Sequence, residues 1–295
     1  MRMNKAMPAQ TRRQAALAIL GLLVVVHAGA YGVYVLRARQ AALATVFRDA
    51  REQWASGHRD LAARGYAHFV SERPHATWPL VLLRSLPSEA TGWFVLGRVR
   101  AEQGQTEAAL NAFSHSMTLE PHVGQKEYRD LLLESHQPAR LRDFALDALG
   151  KDPHSPVAHK DLGAAALTLN EPKLAVLAYQ QALHDLPRFL AVTDPHRPPG
   201  LSSQEADLLN LLSVSARLAG DRVMAERACD QIHQQQPKTA HLDRLCQAYA
   251  AAAIKQVETA KALLQAYQAP APEHDALVAR LQTELHMTSA PSAAH

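Results

Sequence analysis

The sequence predicts an all-α chain, a solenoid of stacked helix pairs preceded by one transmembrane helix. Three observations carry this expectation. A single apolar stretch near the amino terminus is long enough to cross a bilayer. Beyond it, small and bulky residues recur at a fixed spacing that ends in proline. Alanine and leucine are abundant while alternating β-branched runs are scarce, which favours helices packed closely through small side chains. The 295 residues carry a net charge of only +3, too little concentrated basic surface for nucleic acid as the main partner.

The first element is an amino-terminal tail, residues 1–13, with Arg2, Lys5, Arg12 and Arg13 and no acid, the composition of a cytoplasmic flank. Residues 14–36 form the anchor. From Ala15 to Leu36 no acidic or basic side chain occurs, and His27 is the main polar interruption, read as a snorkelling or helix-contact residue. Ala28-Gly29-Ala30 has the form of a signal-peptide cleavage site, the competing reading. The apolar stretch runs on through Val33, Tyr34, Val35 and Leu36, which favours retention as an anchor. No proline separates Pro8 from Pro74, so the anchor is expected to continue into the first soluble helix through Arg37, Ala41, Leu43, Phe47 and Trp54.

The repeat occupies residues 37–272. Counting back from Pro121, Phe113 lies eight residues earlier, Ala109 twelve, Gly104 seventeen and Gly97 twenty-four, with Leu96 and Trp93 ahead of it. The same ruler finds Tyr66, Ala62, Gly57 and Ala50 before Pro74, and Tyr179, Ala175, Asn170 and Gly163 before Pro187. Before Pro237 it finds Cys229, Ala225, Gly220 and Ser213. Weaker units end at Pro153 (Ala145, Leu141, His136, Arg129) and at Pro270 (Ala262, Glu258, Ala253, Cys246). In each unit the small residues admit close helix approach, the bulky ones fill the gaps, and the closing proline is expected to stop the second helix. Insertions are expected near residues 75–89, with Trp78, Leu80, Val81, Leu82 and Leu83, and near 188–205, an extended loop around His196–Pro199. Residues 273–287 read as a carboxy-terminal capping helix with Leu277, Leu281 and Leu285 on one stripe, and 288–295 as a disordered tail.

The W-x-x-L-G … G … A-x-x-x-F … P spacing resembles the tetratricopeptide repeat. That resemblance implies a right-handed superhelical solenoid whose first helices line a concave, protein-binding face. Matching positions here are Phe47, Arg51, Trp54, Phe94, Arg98, Lys126, Asp130, Lys160, Asn210 and Arg217, followed by Asp243 and Gln247. The early set is basic and aromatic, suited to an acidic or amphipathic peptide. The Lys/Asn/Arg clamp for chaperone carboxyl termini is not reproduced.

No motif for catalysis is present: no P-loop, G-x-S-x-G, H-E-x-x-H or dinucleotide turn. The 16 histidines show no i, i+4 pair, and the two cysteines make no C-x-x-C. No cofactor, metal or small-molecule substrate is expected, and no catalytic residue. Cys229 and Cys246 fall on neighbouring helices, where either a disulfide or two buried thiols would fit. The function expected is a membrane-anchored scaffold, an accessory subunit or assembly factor of a membrane or envelope complex, sited in the inner membrane with the repeats in the periplasm. The alternative is a periplasmic chaperone holding unfolded clients in the groove.

Overall fold

The computed structural model of the chain describes residues 9–72, 86–194, 196, 202–235, 243–267 and 272–285. Within these residues every regular element is a helix: α1 (Ala9–Ala55), α2 (Arg59–Glu72), α3 (Glu89–Glu102), α4 (Thr106–Leu119), α5 (Gln125–Glu134), α6 (Pro138–Lys151), α7 (Pro156–Thr168), α8 (Pro172–Thr193), α9 (Ser203–Leu218), α10 (Arg222–Gln235), α11 (Arg244–Ala253), α12 (Val257–Gln265) and α13 (Pro272–Glu284). The chain divides into two compact units, Met1–Tyr128 and Arg129–His295. Trp78, Leu80, Val81, Leu82 and Leu83 of the first expected insertion, and the tail 288–295, lie outside the described residues.

Local sequence sets the helix ends. Ser88 and Ser155 cap α3 and α7 by accepting from Thr91 N and Ala158 N. At α9, Ser202 and Glu205 bond reciprocally, Glu205 N to Ser202 Oγ at 3.1 Å and Ser202 N to Glu205 Oε2 at 2.7 Å. Pro138, Pro156 and Pro172 each open a helix, where a missing N–H leaves no intrahelical bond unmade.

In the first unit α1 pairs with α2 and α3 with α4. In the second, α7 pairs with α8, α9 with α10 and α11 with α12, while α6 packs on α7. The turns between helices stand where the ruler puts its seventeen-residue mark: Gly57, Gly104, His136, Asn170 and Gly220 all have positive φ. In the last unit the left-handed residue is Lys255, not Ala253. Ala260 and Leu264 are buried there in place of Glu258 and Ala262, so this unit is registered on Pro272, two residues beyond the proline chosen from sequence. Both prolines fit a helix boundary, and only the burial of Ala260 and Leu264 decides between them.

Glycine at the pairing positions is required by contact. A Cβ on Gly97 would lie 2.6 Å from the Phe113 ring, and one on Gly163 would lie 2.6 Å from the Tyr179 ring. Phe113 and Tyr179 are fully buried in consequence. The first unit's core gathers Leu43, Ala50, Tyr66, Phe69, Val70 and Leu96, and the second's gathers Tyr179, Leu186, Leu211, Ile232, Leu245 and Leu281.

Two features depart from the sequence reading. Pro187 does not stop its helix: α8 continues through it to Thr193, so residues 188–193 are helix rather than loop. An internal proline costs roughly 3 kcal/mol, and here the further turn buries Leu190 beside Leu186. Cys229 and Cys246 form a disulfide between α10 and α11, with Cα atoms 6.0 Å apart, which resolves the alternative left open by sequence.

Helix α1 runs unbroken for 47 residues, roughly 70 Å at 1.5 Å per residue. One helix among the described residues is long and apolar enough to cross a membrane, α1 over Leu22–Ala55. Leu22, Val24, Val25, Val26, Tyr31 and Tyr34 project outward unburied. That is the character of a membrane span or a signal sequence rather than a core helix.

Candidate functional site

The early residues singled out from sequence meet in the first unit. Phe47, Arg51 and Trp54 follow one another at helical spacing on α1, so they share a face. Phe47 is fixed edge-on against Tyr66 and Phe69, with ring centroids at 5.2 and 4.9 Å. Trp54 donates its indole N–H to Glu102 Oε2 at 2.9 Å, and Arg59 reaches the same oxygen at 3.1 Å. Arg98, exposed on α3, lays its guanidinium over the Trp54 ring, 4.9 Å from the centroid. Between α1 and α3 lies a cavity of about 440 Å³ lined by Phe47, Arg51, Trp54, Tyr66, Thr91 and Val95.

The Trp54 N–H keeps the Glu102 carboxyl below its usual range, against the opposing effect of burial and with help from Arg59 and the Arg98 charge. Burial pushes the Tyr66 hydroxyl up to about 12, with the Arg51 charge acting the other way. The result is an apolar hollow rimmed by Arg51 and Arg98.

Phe94 does not line it. Its ring packs on the buried Phe113, centroids 6.1 Å apart. Thr91 and Val95 take that place, and neither was singled out from sequence. The available signal was their i, i+4 spacing, continued at i+7 by Arg98.

The later residues are placed differently. Lys126 is exposed in the first turn of α5, and Asp130 accepts two bonds from Arg129, at 3.1 and 2.8 Å. In the second unit Lys160 Nζ donates to Asp207 Oδ2 at 2.6 Å. Asp207 Oδ1 faces His274 Nε2 at 2.5 Å, and His274 Nδ1 faces the Tyr267 hydroxyl at 2.6 Å. With Nε2 carrying the proton, His274 donates to Asp207 and accepts from Tyr267. Asn210 hydrogen-bonds with Tyr267 and is only 1% exposed, so it is not the surface contact the resemblance suggested. Burial by itself would raise the Asp207 carboxyl, yet the bond from His274 and the Lys160 charge outweigh it and bring it down to about 2. Arg217 is half-buried near the end of α9, where desolvation pulls its guanidinium below the ordinary value. Asp243 is buried and accepts from Gln247 at 2.6 Å.

Histidines also gather at Asp185, whose Oδ1 lies 3.3 Å from His154 Nδ1 and 3.1 Å from His184 Nδ1. Among the described residues no group of three or more His, Cys, Asp or Glu side chains is arranged to hold a metal ion.

Helix pairs joined at left-handed turns, two of them with a glycine facing an aromatic ring (Gly97 on Phe113 and Gly163 on Tyr179), define a helical-repeat protein with tetratricopeptide-like units. No known family matches the chain by sequence, and no curated protein does. Among solved structures it is similar to MamA from Desulfovibrio magneticus, at 15% identity and a TM-score of 0.44 over 67% of this chain and 97% of that one. It is similar to a tetratricopeptide repeat protein from Parabacteroides merdae, at 11% identity and a TM-score of 0.44 over 83% and 99%. It is also similar to YrrB, described as a tetratricopeptide protein with an unusual peptide-binding site, at 14% identity and a TM-score of 0.44 over 67% and 88%.

Proposed function

We propose that this protein is a membrane-anchored scaffold that holds a membrane or envelope protein against the hollow between α1 and α3, as an accessory subunit or assembly factor of a complex. One observation carries the reading: the helix with the apolar span also builds the wall of the cavity, through Phe47, Arg51 and Trp54. From Leu36 to Arg51 the rise is about 20 Å, so a ligand in the hollow sits close to the bilayer surface. An apolar floor with two arginines at its rim suits an amphipathic segment bearing acidic groups. The Cys229–Cys246 disulfide supports a repeat domain outside the cytoplasm, since such bonds persist in oxidising compartments. The basic tail before the span supports the same orientation, with the amino terminus inside.

Affinity capture of the full chain from membranes in mild detergent, followed by protein identification, tests this. The reading expects one membrane complex recovered in stoichiometric amount, lost when Arg51→Glu and Arg98→Glu are combined. Many substoichiometric clients would indicate a chaperone instead. An unchanged partner set in the double variant would contradict the assignment of the hollow.

A further inference from the structure

Helix α1 carries polar groups at a depth where a bilayer offers them nothing to bond. His27 stands near the middle of the uncharged run from Ala15 to Leu36, nine residues short of its end, roughly 14 Å along the axis. An imidazole is too short to reach the interface from there, so its nitrogens must be satisfied within the hydrocarbon. Nδ1 meets the Leu23 carbonyl one turn back at 2.8 Å. A carbonyl only accepts, so Nδ1 carries the proton and Nε2 is left a bare acceptor. One turn on, Tyr31 is 71% exposed, and its hydroxyl is a spare donor. Helical side chains lean toward the amino terminus, which directs that hydroxyl toward the level of His27 and away from the bilayer surface near Leu36. Among the described residues neither Nε2 of His27 nor the Tyr31 hydroxyl has a partner.

The two groups lie on one seam. Val24, His27, Tyr31, Tyr34, Ala38 and Ala41 follow one another at alternating intervals of three and four residues, the spacing by which two helices pack side by side. All six are exposed, whereas α2 covers the side of α1 that carries Leu43, Phe47 and Ala50. The seam is therefore open along its length, on a different face from the wall of the hollow.

We propose that α1 pairs through this seam with α1 of a second copy of the chain, side by side and parallel in the bilayer, each Tyr31 hydroxyl donating to Nε2 of the other copy's His27. Donor and acceptor are offset by one turn, roughly 6 Å along the axis, which a tyrosine leaning toward its amino terminus spans. Two-fold symmetry makes the bond twice, and each copy supplies what the other lacks. Bonds of this kind join helices in hydrocarbon, where no water is present to take their place. A foreign helix needs a donor of its own at this level, while a second copy brings one at the required offset. The proposal rests on the membrane-anchored reading above, and it makes the scaffold a dimer that displays two hollows.

The test is energy transfer between full-length copies labelled at the amino terminus with donor or acceptor. They are reconstituted together in phosphatidylcholine–phosphatidylglycerol vesicles over a series of protein-to-lipid ratios. The unaltered chain is expected to follow a monomer–dimer curve. Tyr31→Phe removes one oxygen and keeps the ring, so insertion is preserved, and association should weaken about tenfold because two bonds per dimer are lost. His27→Leu should do the same, and the double variant no more than either. Val33→Ala, on another face of α1, should associate as the unaltered chain does. A monomer at every ratio, association unmoved by Tyr31→Phe and His27→Leu, or equal weakening by Val33→Ala overturns the pairing.

Carbonate extraction and the intact mass of the chain from native membranes separate this proposal from the reading beneath it. An uncleaved, carbonate-resistant chain that stays monomeric in vesicles overturns the dimer alone. A chain released by carbonate, or cleaved after Ala30, removes the anchor and overturns both.

Discussion

Arg98 sits over Trp54, its Cζ 4.9 Å from the indole centroid, while the same indole donates its N–H to Glu102. A residue on α3 and one on α1 thus form the lip of the hollow between them. An exposed cation–π contact is worth about 0.5–1 kcal/mol, so Arg98→Ala should leave stability nearly intact while weakening partner binding. Trp54→Ala removes half-buried packing as well and should cost about 2 kcal/mol. Urea unfolding beside partner capture separates the two effects. If Arg98→Ala retains full binding, the stacked pair is only structural.

The glycine–aromatic contacts predict a steep penalty for one added methyl. Gly97→Ala and Gly163→Ala each place a Cβ 2.6 Å from a buried ring. Overpacking of this kind costs about 1–3 kcal/mol. Combining Gly97→Ala with Phe113→Leu should cost less than the sum of the two single changes, because the smaller side chain vacates the space. Denaturation of the four proteins closes the cycle; strict additivity would mean the contact is not felt.

Among the described residues, three turns carry side chains in a left-handed conformation: His136, Asn170 and Lys255. For residues other than glycine this conformation costs roughly 1–2 kcal/mol. His136→Gly and Lys255→Gly should therefore stabilise by about 1 kcal/mol, and Asn170→Gly by less, since asparagine tolerates the region. Thermal melts check this, and a lower melting temperature for both glycine variants would contradict the turn geometry.

Asp207 links stability to acidity. Its folded carboxyl is held at about 2 by His274 and Lys160, against burial, below an unfolded value of about 4. The stabilisation, about 2 kcal/mol, is complete above the unfolded value and disappears as pH falls from about 4 through about 2. Asp207→Asn should be less stable at neutral pH and should lose less stability over that acid window. Equal pH slopes for the two proteins would show that the Lys160–Asp207–His274 chain contributes nothing.

The Cys229–Cys246 bond closes a short loop, with a sequence separation of 17. Loops near this length gain roughly 3 kcal/mol from the crosslink. Reduction, or Cys229→Ser with Cys246→Ser, should lower stability by that order. Mass spectrometry of unreduced protein from membranes should find the bond, and two free thiols there would also undercut the extracytoplasmic placement.

Much of the fold was legible in sequence because its determinants are local and periodic. Gly97 and Phe113, or Gly163 and Tyr179, sit sixteen residues apart in one helix pair, so their contact is written at a fixed offset. Where a position accepts several solutions, the ruler loses force. Pro187 terminates nothing because the next turn buries Leu190, a tertiary gain that helix propensity does not contain. Pro270 and Pro272 fit a boundary equally well by residue type. The site was legible to the extent that it lies on one helix, as with Phe47, Arg51 and Trp54. Asn210 is engaged by Tyr267 and Lys160 by Asp207, which in turn meets His274 of α13, and no spacing within α7 or α9 announces those partners. Phe94 shows a related limit, since its helical face alone does not tell the hollow from a contact with Phe113.

A photo-crosslinking residue at position 91, on the wall of the α1–α3 hollow, tests the central claim most directly. The control carries it at position 177, where Leu177 is 63% exposed on the second-helix side of α8. After irradiation of intact cells, position 91 should give one discrete adduct with a membrane-side protein and position 177 should not. No adduct from position 91, or the same adducts from both positions, would contradict the account.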